Sequence, residues 1–275
     1  MPTLKTIPGL GCRILCGLTV TLSMLVASSA WGQAPGVQTP ATRPAQPLAT
    51  QAKPAPPETT VASPAAPEPI PPALESYMGR EIAQTMHFSG APWLIRENRE
   101  DEERCSIMLG QLGIKPGMTI CDMGCGNGFY SVQLAKMVGP TGRVLCVDIQ
   151  PEMLRLLERR AVDQGVDNIV PILGAVHDPR LPKASVDLIL MVDVYHEFSH
   201  PEQMLRNMHA SLKPDGQIAL LEYRAEDPNV PIKPLHKMSK KQIIKEFSPN
   251  GFRLVREFNR LPWQHMMFFG LSPEE

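Results

Sequence analysis

What this chain most plainly lacks is charge of one sign. Its 27 Lys and Arg face 28 Asp and Glu, a formal net charge of −1. No basic footprint for a phosphate backbone exists, which excludes nucleic acid as an expected partner, and there is no acidic tail. Aromatic residues are only 5% of the chain, and none lies between Ala34 and Pro72, where twelve of the 29 prolines collect among alanines. Such a stretch has little to bury and is expected to stay extended as a polyproline-like spacer. Cysteine is sparse: Cys12 and Cys16 sit near the start, leaving Cys105, Cys121, Cys125 and Cys146 without any C-x-x-C spacing. That pattern gives no indication of zinc, and the thiols are expected to be free and buried. No internal repeat is visible.

Residues 1–32 read as an export signal. Lys5 and Arg13 supply a positive start, Ile14–Val26 an apolar stretch, and Ala30-Trp31-Gly32 a small-x-small cleavage site. The alternative is an uncleaved membrane anchor, because Ile14–Ala30 is only just short of the roughly 20 residues a span prefers. Either way the folded part is expected outside the cytoplasm, periplasmic or secreted. Residues 33–72 are then a plain linker or a tether to membrane or wall. The folded domain is expected over 73–275, with a helical cap at 73–98 and the core at 99–275.

The core turns on the run from Met118 to Asp148. A short apolar segment, Thr119–Cys121, is closed by Asp122. Gly124, Gly126 and Gly128 follow at alternate positions, then the amphipathic run Phe129–Val138, a Gly139–Gly142 turn, and a second apolar strand ending on Asp148. Strand, glycine loop, helix, strand and acid form a nucleotide-binding βαβ half. Glycines let backbone come close to a ligand, and the next helix points its N–H groups at the same place. Asp148, twenty positions beyond Gly128, can accept from both ribose hydroxyls of an adenosine. The spacing is G-x-G-x-G rather than G-x-G-x-x-G. A carboxylate also precedes it, which suits a cationic ligand better than a diphosphate and disfavours a nicotinamide dinucleotide.

On these residues, Asp122 to Gly128 with Asp148, the chain resembles the class I S-adenosylmethionine-dependent methyltransferases. The resemblance covers roughly Glu100 to Gly270. It implies a doubly wound, mostly parallel α/β sheet of seven strands with the last antiparallel, and S-adenosylmethionine as cofactor. It further implies that Asp122, Gly124, Gly126 and Gly128 wrap the methionine end, that Asp148 and its neighbour Ile149 meet the adenosine, and that Asp178 receives the adenine amino group. An N-terminal addition in such proteins often covers the cofactor. By that resemblance Tyr77, Arg80, His87 and Trp93 are candidates for the substrate wall.

Along the chain, Leu74–Thr85 reads as a short helix and His87–Arg96 as an irregular loop. A helix capped by Asn98 is expected to run through Leu112 to Gly113. After Asp148, Pro151 opens a helix with Met153, Leu154, Leu157 and Ala161 as its buried stripe. Strands are expected at Ile169–Leu173, Val186–Val192 and Gln217–Glu222, the last entered through the turn Lys213–Gly216. Lys237–Phe247 reads as a helix capped by Ser239, and Phe252–Phe258 with His265–Leu271 as a terminal antiparallel pair.

Ligands in open α/β sheets bind beyond the carboxyl ends of the strands. Asp193, His196 and Glu197, just past the fourth strand, are therefore the candidate catalytic residues, with Asp193 also near the cofactor and Glu222 and Tyr223 beside them. His196 is the candidate general base for a hydroxyl or thiol acceptor, its ordinary pKa being near 6.5; the alternative is a structural hydrogen bond within its loop. His196 to His200 matches the zinc motif H-E-x-x-H, but Pro201 pushes His200 out of helix and no third ligand follows at a fixed distance, so no metal is expected. The loop Arg224–Lys237 is expected to fold over the site, with Arg224, Lys233 and His236 as candidates for an anionic group. Nothing matches the Asn-Pro-Pro-aromatic signature of DNA amino-methylation, and a small-molecule acceptor is expected. The rival is an exported, non-catalytic binding module on the same scaffold.

Overall fold

The computed structural model describes residues 69–273. The export signal and nearly all of the proline-rich stretch therefore lie outside the described residues. Among the described residues, no helix is long and apolar enough to cross a membrane.

The first element is a hairpin, β1 (Ser76–Tyr77) and β2 (Arg80–Glu81), where the sequence pattern predicts a helix. Two features favour the turn. Met78 and Gly79 both take positive φ (47° and 87°), as a two-residue hairpin loop requires. Arg80 is then aimed at a partner far along the chain, the buried Glu246, at 2.8 Å. Residues Phe88–Ile95 form tight 3-10 turns rather than an irregular loop, opened by His87, whose ring accepts from Ser89 N–H.

The expected single helix from Asn98 is two, α1 (Arg99–Glu103) and α2 (Cys105–Gln111), broken by Arg104 in the left-handed region. Asn98 makes no side-chain cap. The break lies next to Glu103, which is 1% exposed and pinned by Arg96, Arg99 and the Tyr223 hydroxyl. The cap over the core is thus a hairpin followed by 3-10 turns.

The core follows in the expected order: β3 (Thr119–Met123), α3 (Phe129–Val138), β4 (Arg143–Asp148), α4 (Pro151–Asp163), β5 (Ile169–Leu173) and β6 (Val186–Val192). After these come α5 (Pro201–Ser211), β7 (Leu212–Arg224), β8 (Lys237–Met238), α6 (Lys240–Phe247), β9 (Phe252–Phe258) and β10 (Gln264–Leu271). The sheet order is β5-β4-β3-β6-β7-β10-β9, with the two-residue β8 alongside β7. All of these pairings are parallel except β7–β10 and β10–β9. The mostly parallel sheet with a reversed last strand is as expected.

Strand β7 starts five residues early, yet the predicted turn survives inside it. Val186 pairs with Leu212 and Leu188 with Gln217, so Lys213–Gly216 bulge out opposite Asp187, which Lys213 grips at 2.8 Å. Ser239 caps α6 by accepting from Gln242 N–H, and Met153, Leu154, Leu157 and Ala161 are the buried stripe of α4.

Alternate residues of the central strands feed opposite cores, as the two-residue period of a strand dictates. Ile120, Leu188, Leu190, Ala219 and Phe268 pack with α2 and α3 on one face. Cys121, Ile189, Met191, Leu220 and Phe269 pack with α5 and α6 on the other. The four cysteines of the domain are free and buried.

Candidate active site

The site begins where β3 and β6 part. The connections from these neighbours run to opposite sides of the sheet, so a crevice opens beyond their carboxyl ends. A cavity of about 560 Å³ occupies it, within the range typical of small-molecule sites.

One wall is the glycine loop. Gly124 and Cys125 N–H both donate to Val147 O, at 2.8 and 3.0 Å, folding the loop back on β4. A Cβ on Gly124 would fall 2.3 Å from Val194 Cγ2 and one on Gly126 2.6 Å from Leu94 Cδ1, and with φ of 67° and 53° a side chain at either position is strained. Asp148 clasps the loop: its Oδ2 accepts from Gly126 N–H at 2.9 Å and its Oδ1 from Gln150 N–H at 2.9 Å. Burial raises its pKa, and the N–H bonds from Gln150 and Gly126 oppose the shift. Gly124, Gly126, Asp148 and Ile149 all line the cavity. Gln150 ties the cap over this wall, accepting from Phe88 N–H at 2.8 Å and donating to Met86 O at 2.9 Å.

Three of the expected cofactor residues lie elsewhere. Gly128 is packed against Leu157 at the start of α3, outside the lining, and serves helix–helix contact. Asp122 is buried beneath the loop, holding the Ser131 hydroxyl, and faces a small adjoining recess rather than the main cavity. Its pKa is pushed up to about 6 by burial. Asp178 turns away: the Ala175–Asp178 bridge directs its carboxylate to Arg180 N–H, and Ala175 and Val176 face the cavity instead.

The recess under the loop holds two residues that sequence reasoning missed, Arg99 and Asn127. Arg99 is held by Glu103 and Leu94 O, with Phe129 and Tyr130 against its guanidinium. Asn127 donates to Ala91 O while its Oδ1 is buried without a partner. An orphaned acceptor there asks for a donor. Asn127 stands inside the glycine motif, which was the available signal; Arg99, well upstream of that motif, carried none.

The opposite end of the cavity is polar. Asp193 takes φ 52°, a left-handed conformation rare for such a residue, fixed by its N–H to Leu221 O. Its Oδ2 accepts from Gln264, while Oδ1 is buried and unpartnered. Burial, then the charges of Glu103 and Glu222, hold its pKa well above the carboxylate range. His196 and Glu197 follow on a 3-10 turn, Tyr195–Glu197. His196 O is gripped by Arg80 and by Ala83 N–H, and Glu197 accepts from Met86 N–H, so the cap also positions this turn.

His196 Nδ1 lies 2.6 Å from Glu222 Oε2, and its Nε2 lies 3.0 Å from Nδ1 of His236. Since the carboxylate accepts, Nδ1 carries a proton and Nε2 offers its lone pair. Burial lowers the His196 pKa, but the charge and hydrogen bond of Glu222 outweigh it and the net shift is upward. The Glu197 carboxyl is pushed up to about 7 by burial. Burial and then His196 and Lys233 lower the His236 pKa.

Asp193, His196, Glu197 and Tyr223 are thus brought together in the lining, joined by Lys233 and His236 from the late loop. Arg224 is not, since it donates to Pro262 O. Of the cap candidates only Trp93 lines the cavity; Tyr77 is buried against Asn250, Arg80 serves Glu246, and His87 is exposed. His200 sits at φ −132° and bonds Ser199 and Pro71 O, so the two histidines of the H-E-x-x-H motif share no helical face.

One continuous cavity therefore joins a glycine loop and a strand-end acid to a polar floor. This is the arrangement of the S-adenosylmethionine-dependent methyltransferases. The chain belongs to the methyltransferase-domain family, whose model matches residues 114–260. Among curated proteins it is 32% identical over 115 residues to a ubiquinone/menaquinone biosynthesis C-methyltransferase, UbiE, from Cupriavidus pinatubonensis, covering 42% of this chain and 47% of that one. The UbiE of Ectopseudomonas mendocina is 32% identical over 156 residues, 54% of this chain and 60% of that protein. The chain spans about half the length of the curated relatives it matches. A SAM-dependent methyltransferase from Aquifex aeolicus superposes with a TM-score of 0.64 at 26% identity, over 67% of this chain and 98% of that one. The cofactor of this class is S-adenosylmethionine, and the residues present fit it: Gly124, Gly126 and Asp148 line the main cavity, and in the recess beneath the loop Asn127 Oδ1 is a buried acceptor without a partner.

Proposed function

We propose that this chain transfers a methyl group from S-adenosylmethionine to a small molecule bound over Asp193, His196, Glu197 and His236. The observation that carries the reading is the continuity of the cavity, whose lining runs from Gly124, Gly126 and Asp148 to those four side chains. When bound, the cofactor supplies an electrophilic methyl group on a sulfonium.

The roles of the chain's own residues follow from their positions. Asp148 and Ile149 meet the adenosine, Gly124, Gly126 and Arg99 take the methionine end, and Trp93 and Lys233 border the acceptor. Asp122 shapes the loop from below through Ser131. Cap segments tied down by Gln150 and Arg80 exclude water and hold the floor in register. Glu222 orients His196 so that Nε2, with Glu197 and His236, favours loss of a proton from the acceptor's nucleophilic group.

An acceptor with an ionisable hydroxyl or thiol suits this floor. Hydroxylated aromatic rings are the first to try, because the curated relatives are named for ubiquinone and menaquinone biosynthesis. The N-terminal sequence supports export of the domain, with acceptors drawn from outside the cytoplasm. The test is release of S-adenosylhomocysteine by the full chain across hydroxylated aromatics and thiols. Acceptor-dependent release abolished by His196→Ala supports the reading. A chain that binds cofactor yet turns over no acceptor would leave the non-catalytic module.

A further inference from the structure

The polar floor contains a feature that proton removal alone does not explain. His196 Nε2, the nitrogen that should face an acceptor, already faces another imidazole nitrogen, His236 Nδ1, at 3.0 Å. Glu197 Oε1 stands 3.9 Å from the same Nε2, and all three ligand-type atoms lie within 4.8 Å of one another. They come from two separate segments, the turn after β6 and the loop before β8, and all three residues line the cavity.

We propose that His196 Nε2, His236 Nδ1 and Glu197 bind one divalent transition-metal ion, zinc being the first to test, with an open position toward the acceptor. Ligands of a tetrahedral ion with bonds near 2.0–2.1 Å stand about 3.3 Å apart, and the 3.0 and 3.9 Å separations bracket that value. Two imidazoles and one carboxylate are a set that zinc and its first-row neighbours accept.

Three independent features agree. Metal-bound histidines almost always give their other ring N–H to a carboxylate or carbonyl, and His196 Nδ1 does so to the fully buried Glu222 at 2.6 Å. Glu222 Oε1 also accepts the backbone N–H of His196, at 3.2 Å, so the ring is fixed from two directions. Second, the floor gathers Asp193, Glu197 and Glu222, yet among the described residues no Lys or Arg bonds any of the three; their recorded partners are Gln264, Met86 N–H and His196. Lys233 lines the cavity without bonding them. Third, all three ligands line the cavity instead of lying in a closed core, as those of a catalytic rather than a structural site do.

The sequence pattern pointed at H-E-x-x-H and away from metal, because His200 cannot join His196. In the structure the second imidazole is His236, forty residues on, while His200 holds Pro71 O. Such a metal would take the His196 Nε2 lone pair, making that ring a ligand in place of a base. It would bind the acceptor's hydroxyl or thiol through its oxygen or sulfur, stabilising the anion left when the proton passes to solvent. That role rests on the methyl-transfer reading; the affinity for metal rests on the side-chain geometry alone.

The full chain, treated with chelator and without cofactor, is titrated with Zn2+ by calorimetry and with Co2+ by visible d–d absorption. One ion per chain is expected at micromolar Kd or tighter, with a Co2+ spectrum of nitrogen and oxygen ligation. Glu222→Gln should weaken binding about 10–100-fold, as loss of such a supporting carboxylate does. His236→Ala, on a loop outside the core, should weaken it further with no loss of fold in the metal-free melt. Absence of stoichiometric binding, or binding that survives both variants, overturns the proposal. Because no cofactor is present, a chain that binds metal but not S-adenosylmethionine upholds this site while removing the transfer reading. The reverse result removes only the metal.

Discussion

Glu222 holds His196 twice, with Oε1 on its backbone N–H at 3.2 Å and Oε2 on its ring Nδ1 at 2.6 Å. Neither residue is more than 2% exposed, so a single buried carboxylate decides both where the turn after β6 sits and which imidazole nitrogen meets the cavity. The sheet makes this possible. β6 and β7 are parallel neighbours, and their ends bring residues 26 positions apart into contact.

The cap depends on a comparable long-range pair. Arg80 meets Glu246 through two nitrogens, at 2.8 and 3.0 Å, with Glu246 fully buried. Arg80→Ala leaves that carboxylate without its cation and is expected to cost about 3 kcal/mol, read as a lowered midpoint in denaturant. It should also loosen the His196 turn, whose carbonyl loses the Arg80 donor at 2.9 Å. A variant as stable as the parent would show that the Arg80–Glu246 pair contributes nothing to the fold.

Asp122 gives a pH dependence with a definite sign. Its pKa is raised from 3.8 to about 6, chiefly by burial. Between those values the folded state binds the proton more tightly than the unfolded state. The associated stability is full below pH 3.8 and is lost as pH rises through about 6. Asp122→Asn, which still accepts from Ser131, removes that loss. Its stability advantage over the parent should therefore grow from pH 4 to pH 7, to at most about 3 kcal/mol. A gap that stays constant across that range would contradict the assignment.

Gly124→Ala tests the loop by shape. The added Cβ would sit 2.3 Å from Val194 Cγ2 at a backbone φ of 67°. Overpacking and left-handed strain together should destabilise the domain by about 2–4 kcal/mol and abolish cofactor binding in whatever fraction remains folded. Thermal melts with and without S-adenosylmethionine check both parts; unchanged ligand stabilisation would refute the tight contact.

For the N-terminus, expression in a bacterial host followed by intact mass measurement should find a mature chain beginning after Gly32 in the exported fraction. An unprocessed chain in the membrane fraction would select the anchor instead, and one in the cytoplasm would reject export.

The central sheet was legible because each strand is a short apolar run bounded by turn residues, and because the glycine loop fixes where the first βαβ unit lies. The final antiparallel pair was legible for the same reason. What escaped depends on partners distant in sequence. The hairpin at 76–81 is selected by Glu246, and the break at Arg104 lies beside Glu103, which Arg96, Arg99 and Tyr223 hold. His236 was readable as a polar loop residue, but its approach to His196 was not, since only the fold brings those rings together. Asp178 had the right chemistry in the right loop, and a local turn redirected it to Arg180 N–H. Asp122 carried the family motif faithfully and yet lies beneath the loop.

The most direct test of the account is calorimetric binding of S-adenosylmethionine to the full chain, with Asp148→Ala beside it. Micromolar affinity, about −8 kcal/mol, weakened at least about 100-fold by the substitution while the protein remains folded, is the predicted result. A well-folded parent that binds no S-adenosylmethionine, or a variant that binds it equally well, would contradict the assignment of this cavity.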